Sequence, residues 1–210
     1  MSNYKKALKL AKEKMKKSVN ESHGEKHAKL VEKHAIAIWK SLKKDKKWNP
    51  NPNKQMISLV AWWHDAYKSD HKKLGFWDSL AEDVSTAELM EKALSDTLSK
   101  KDLEALIIAV KYHKLPFLRL LEPKKYNTLA QILFEADGLE DLNWERRSKQ
   151  LKSEQSIFTK MLFSFESATI IILGWMVIES EYSKKVYRER VNEFFEKLLD
   201  RTDNFFKNGA

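Results

Sequence analysis

The chain has 210 residues, with no cysteine, five glycines and four prolines. Without thiols there can be no disulfides and no thiolate metal sites, so His, Asp and Glu are the strong metal ligands left to it. Scarce Gly and Pro, with abundant Lys, Glu, Leu and Ala, predict a mostly helical chain with short connections. No stretch alternates as a strand ladder would, and no internal repeat is evident. The longest apolar run, Ala168 to Ile178, is too short to span a bilayer and contains Gly174, so membrane insertion is not expected. The opening MSNYKKALKLAKEKMKK lacks the apolar core of a signal peptide, which makes a cytoplasmic location the expectation.

What the chain has in excess is positive charge, formally +9. Much of it falls early, at Lys5, Lys6, Lys9, Lys12, Lys14, Lys16 and Lys17, then Lys43, Lys44, Lys46 and Lys47. Such a field attracts nucleotides, nucleic acid and lipid headgroups alike. Solvated faces of a Lys-rich helical protein carry the same signature. Charge alone does not choose among these.

Hydrophobic periodicity predicts a basic helix near 3–17, a second over about 25–42, and a third over 54–67 after the Pro- and Asn-rich break at 43–53. A loop around Gly75 precedes helices near 79–95 and 100–113, the latter after the cap-like Ser99. Pro116 and Pro123 bracket a connection to a helix over about 127–139, and two or three helices fill 144–207. In that last segment Phe194, Phe195, Leu198 and Leu199 are expected in the core. The fold class is all-α.

Several polar residues sit on the apolar stripes of these helices. His27 and His34 lie on the stripe of Leu30, Val31, Ala35 and Ile38. His64 continues Ile57, Val60 and Ala61, and Asp65 lies one turn beyond Ala61. Asp137 follows Leu133 by four, and His113 continues Leu103, Leu106, Ile107 and Val110. A lone inward His is most often a hydrogen-bonded core residue, and His34 is read that way. Together, His27, His64, Asp65 and Asp137 converge from three helices. A single divalent cation would offset the cost of burying all four. Two imidazoles with two carboxylates suit Mn, Fe, Co, Ni or Zn, and Mg less well.

These residues resemble the signature of the HD-domain metal-dependent phosphohydrolase superfamily: a His on one helix, a His-Asp doublet and a distant Asp. Here they stand in SHGEKHAKLVEKHA (His27), LVAWWHDAYK (His64 and Asp65) and LFEADGLEDL (Asp137). Ser22-His23-x-x-x-His27 resembles the S-H-x-x-x-H opening of small bacterial members. EADGLEDL resembles their D-A-D-x-L-D-x-L segment, and Ile107-Ile108-Ala109-Val110-x-x-His113 their helix ending in His. The likeness covers roughly residues 20–142.

The resemblance implies an HD-type helical bundle over 20–142; by their own pattern, a basic helix in 1–19 precedes it and C-terminal helices in 143–210 are expected to pack on the core as one structural domain. It implies one divalent ion held by His27, His64, Asp65 and Asp137, and hydrolysis of a phosphoester or phosphoanhydride of a small molecule, a nucleotide first among them. The ion would make water more acidic and screen charge on phosphoryl oxygens. His113, Asp65, Lys68 and Asp70 are the expected catalytic groups, and Lys68, His71, Lys72 and Lys114 the expected substrate contacts. The chain departs from some nucleotidases and (p)ppGpp hydrolases of the family, which carry a water-orienting Glu where Lys68 stands; Asp70 is the carboxylate that could serve instead. Beyond the ligands, His71 and His113 are too few for the two-metal members' pattern. A nuclease or phosphodiesterase acting on nucleic acid, a degenerate binding module, and a homodimer stay open as alternatives.

Overall fold

In the computed structural model, which describes residues 2–44, 52–72, 76–115, 127–153 and 176–208, the apolar stripes become buried faces of eight helices, with no strand among the described residues. Helix α1 (Asn3–Lys16) buries Ala7, Ala11 and Met15, four residues apart on one face. The two small alanines let its backbone approach α3 (Lys54–Trp63) closely. Helix α2 (Glu25–Lys44) buries Ala28, Val31, Ala35, Ile38 and Leu42, together with His27 and His34. It packs mainly on α3, which is buried at every residue from Met56 to Trp63 and is the centre of the assembly.

Helix α4 (Phe76–Leu94) packs on α5 (Lys100–Tyr112), and α5 in turn meets α3. Helix starts follow side-chain capping. Asn53 accepts from the Met56 N–H, and Ser99 from that of Asp102. Asn127 caps α6 (Thr128–Asp141) by accepting from Ala130 N–H, and its amide donates to the Ala105 carbonyl, which ties α6 to α5. Along α6, Leu129, Ile132, Leu133 and Ala136 are buried. Each fully buried Leu or Ile contributes about 1.5–3 kcal/mol, which is what offsets the polar groups described below.

The chain divides into two compact units, residues 1–137 and 138–210. The second contains α7 (Trp144–Ser153) and α8 (Glu181–Asn208), joined by an edge-to-face contact of Trp144 on Phe194 with ring centroids 5.4 Å apart. Arg146 and Arg147 hold Asp141 through its carboxylate and its carbonyl. Phe195, expected in the core, is instead 49 % exposed. It is the immediate neighbour of Phe194, and adjacent positions on a helix point about 100° apart, so both cannot face Trp144. The side chains of Leu198 and Leu199 lie outside the described residues, as do Gly75, Pro116, Pro123 and most of the segments 43–53 and 168–178. No described helix is long and apolar enough to cross a membrane.

Candidate metal centre

The expectation of one helix over 54–67 fails at its most informative point. The α-helix ends at Trp63, residues 64–67 form a turn, and a short 3-10 turn follows at Lys68–Asp70. His64 keeps αR backbone angles and donates its N–H to the Val60 carbonyl, and the chain tightens beyond it, where Ala66 N–H bonds the Trp63 carbonyl. His64 Nδ1–H donates to the Ala61 carbonyl at 2.9 Å, which fixes its tautomer and leaves Nε2 facing inward.

Four donor atoms converge there. His27 Nε2 lies 3.2 Å from each of His64 Nε2, Asp65 Oδ2 and Asp137 Oδ1. His64 Nε2 is 3.1 Å from Asp65 Oδ2 and 3.5 Å from Asp137 Oδ1. Donors about 2.1 Å from one ion lie about 3.0 Å apart at right angles and about 3.4 Å apart at the tetrahedral angle. The spacing of His27, His64 and Asp137 therefore fits one divalent cation, with Asp65 Oδ2 beside both imidazoles. All four residues are buried, His64 to 1 % and Asp65 to 3 % exposure. The donor chemistry fits as well: lone pairs of nitrogen and ionised oxygen crowd together, and a shared positive charge is needed to hold them.

Without an ion, a proton supplies that charge. Burial works against a charged His64, yet Asp65 and Asp137 push its pKa up to about 10. Burial likewise opposes ionisation of Asp65, but His64, Lys68 and His23 hold it well below the ordinary carboxylate range. Asp137 follows the same pattern, held down against burial mainly by His64. His113 is buried, and it donates from Nδ1 to the Val110 carbonyl. Its Nε2 has no hydrogen-bond partner and stands 3.8 Å from Asp137 Oδ2, too far for a hydrogen bond. Burial lowers the His113 pKa, but the charges of Asp83 and Asp137 raise it on balance.

Three further residues belong to this neighbourhood without having been singled out as site residues. His23 donates from Nδ1 to Asp65 Oδ2 at 2.6 Å. It rides on a 3-10 turn, Glu21–His23, started by Asn20 accepting from Ser22 N–H. That turn is clasped to residues 69–71: Val19 N–H and the Ser18 hydroxyl both donate to the Ser69 carbonyl, and the Asn20 amide donates to that of His71. The His23 spacing to Asp65 is that of a charge-assisted hydrogen bond and is shorter than two ligands of one ion would lie. His23, His27 and Asp65 do form a second donor group around the same residues. The other two newcomers are Glu82 and Asp83 of α4. Lys68 Nζ is 2.9 Å from Glu82 Oε1 and 3.5 Å from Asp65 Oδ1, while Lys114 meets both Glu82 and Asp83.

Of the expected site residues, His27, His64, Asp65 and Asp137 come together, with His113, Lys68 and Lys114 around them. Asp70 is elsewhere, half-exposed and paired with Lys14 at 2.7 Å. His71 stacks on Tyr67 with ring centroids 4.5 Å apart, and its Nδ1–H donates to the Tyr67 carbonyl. Lys72 is exposed. His34 is buried on the α2 stripe. No family model matches the chain, and comparison with characterised proteins and with solved structures gives no significant match either.

Proposed function

We propose that this protein is a metal-dependent phosphohydrolase of the HD-domain type, acting on a phosphoester or phosphoanhydride of a small molecule, with nucleotides as the substrate class. One observation carries the reading. The buried Nε2 atoms of His27 and His64 lie 3.2 Å apart and each is 3.1–3.5 Å from an oxygen of Asp65 and of Asp137, in the order and residue types that the sequence resemblance implies. A bound divalent ion would supply Lewis acidity, lowering the pKa of water and the charge on phosphoryl oxygens.

The protein's own groups do the rest. The Ala61 and Val110 carbonyls fix His64 and His113 with Nε2 turned inward. Protonated on Nε2, His113 can donate to a phosphoryl oxygen or protonate the leaving group. Lys68 and Lys114 place two ammoniums beside Asp65 and Glu82, suited to an anionic substrate. The test is a hydrolysis screen of nucleotides and generic phosphoesters across Mn, Fe, Co, Ni, Zn and Mg. Activity is expected with at least one ion and is abolished by Asp65→Ala; full activity in that variant sinks the site assignment. No hydrolysis with any ion, and no stoichiometric metal, would point to a degenerate binding module.

A second reading, an HD-type nuclease or phosphodiesterase, is favoured by one contact: Lys14 on Asp70 joins basic α1 to the 3-10 turn directly after the doublet. Oligonucleotide binding that falls steeply with salt would support it, whereas binding indifferent to salt and length would remove it.

A further inference from the structure

Helix α1 carries six lysines and a single acid, Glu13. Its apolar face is taken up by the fold, with Ala7, Ala11 and Met15 buried. Away from that face, Lys5, Lys9, Lys12 and Lys16 recur at i, i+4, i+7 and i+11, one stripe about 16 Å long at 1.5 Å per residue. Lys5, Lys9 and Lys16 are exposed, and Lys12 holds its ammonium over Trp62, 5.1 Å from the ring centroid. Lys6 and Lys17, also exposed, flank the stripe. Lys5, Lys6, Lys16 and Lys17 make no ion pair among the described residues, and Lys9 has only a 3.7 Å contact with exposed Glu13. This arrangement destabilises the free helix. Lys5 and Lys6 stand in the first turn, where the helix dipole disfavours cations, and no acidic residue answers them there. Lysines three or four apart repel, and the stripe holds three such pairs in succession.

We propose that the lysine stripe of α1 is a binding surface for the phosphate backbone of a nucleic-acid strand. A linear row of anions offsets both the repulsion along the stripe and the unanswered cations of the first turn. The stripe matches about five nucleotides of a stacked strand at 3.4 Å each. An anionic lipid surface fits less well, because a helix that binds one inserts its apolar face, and the apolar face of α1 is already packed. The C-terminal end of the stripe is tied to the turn that follows Asp65: Val19 N–H and the Ser18 hydroxyl donate to the Ser69 carbonyl, and the Asn20 amide to that of His71. The surface gives the nuclease reading a path for the strand but does not depend on it, since binding along α1 needs no metal.

The experiment is fluorescence anisotropy of a labelled single-stranded DNA with the full, metal-free chain, between about 50 and 200 mM salt. Wild type is compared with Lys5→Gln/Lys9→Gln/Lys16→Gln, with arginine at the same three positions, and with a control, Lys92→Gln/Lys100→Gln/Lys101→Gln, which removes exposed lysines of α4 and α5. The α1 glutamine variant is expected to bind about 100-fold more weakly near 0.1 M salt, with a log–log salt slope shallower by about 2, because each phosphate contact on a single strand contributes about 0.7 to that slope. The arginine and control variants are expected to stay within about threefold of wild type, since charges distant from the strand are screened. Equal weakening in the control would make the attraction one of net charge and overturn the proposal, as would no binding by wild type. Binding to vesicles of anionic lipid but not to the oligonucleotide would overturn it in favour of a membrane. Asp65→Ala is expected to bind the strand as wild type does; loss of binding there would move the strand from α1 to the metal centre. Should the glutamine variant fail to fold, lysine acetylation of wild type, read by mass spectrometry, decides. Bound oligonucleotide is expected to protect Lys5, Lys9 and Lys16 over Lys92, Lys100 and Lys101, and equal protection overturns the proposal. Failure of the metal-centre reading leaves all these outcomes unchanged.

Discussion

Replacing His23 by alanine tests whether this centre is assembled in the order that its distances imply. The imidazole is not one of the four converging donors; it donates to the Asp65 oxygen that is. At 2.6 Å to an ionised, buried carboxylate, that bond belongs to the stronger class, worth about 1.5–3 kcal/mol. Removing it leaves Asp65 free to turn away from His27 and His64. The expected outcome is a metal dissociation constant raised about 10–100-fold, the usual consequence of losing an outer-shell partner. His23→Asn places an amide N–H near the lost Nδ1–H and should recover most of the affinity. Competition with a chelator of known affinity measures both constants, and circular dichroism of the metal-free variants checks that each is folded. Affinity within about twofold of wild type in His23→Ala would refute the positioning role, since a bond of this class is worth at least tenfold. Complete loss of binding, unrescued by Asn, would make His23 a ligand in its own right.

Two further outcomes follow from charge and packing. Metal-free, His64 takes up a proton with a pKa raised from 6.5 to about 10, so its stabilisation is complete below pH 6.5 and is lost as the pH climbs through about 10. Asp65 and Asp137 are depressed instead, so their contribution is present above their ordinary value of 3.8 and disappears on acidification below it. Metal-free melting temperatures should therefore peak between these limits. Because an ion must displace the His64 proton, metal affinity should rise about tenfold per pH unit between pH 7 and 9 with about one proton released per ion, measurable by titration in weak buffer. Affinity independent of pH would contradict the assigned His64 state. In the core, Leu133→Ala on α6 removes a fully buried side chain one turn before Asp137 and should cost about 2–5 kcal/mol by urea unfolding. A loss below about 1 kcal/mol would mean that α6 is not packed as described.

How much of this could be read in advance depends on which residues share a periodic element with apolar neighbours. His27 and Asp137 were legible because each follows or precedes a buried stripe at helical spacing, which places them inward without any knowledge of the tertiary fold. His64 and Asp65 were legible as a buried pair at the end of an apolar stripe, but not that the regular helix ends at Trp63 and a turn carries them. His23 had no such signal. It sits on a three-residue turn, and its partner lies 42 positions away, brought close by a clasp of side chains and carbonyls that no local period encodes.

Glu82 is the instructive middle case. A Glu-Asp pair in a charged helix reads as a solvated face, yet Glu82 stands four, eight and twelve residues before Thr86, Met90 and Leu94, all buried. Phasing α4 as the other helices were phased would have put that carboxylate inside. The general lesson is physical. A charge on an apolar stripe is costly unless something answers it, and each one here is answered by another such charge from a different helix. The carboxylates of Asp65, Glu82, Asp83 and Asp137 and the imidazoles of His23, His27, His64 and His113 are therefore one electrostatic unit, in which Lys68, the residue that breaks the expected pattern, meets both Asp65 and Glu82.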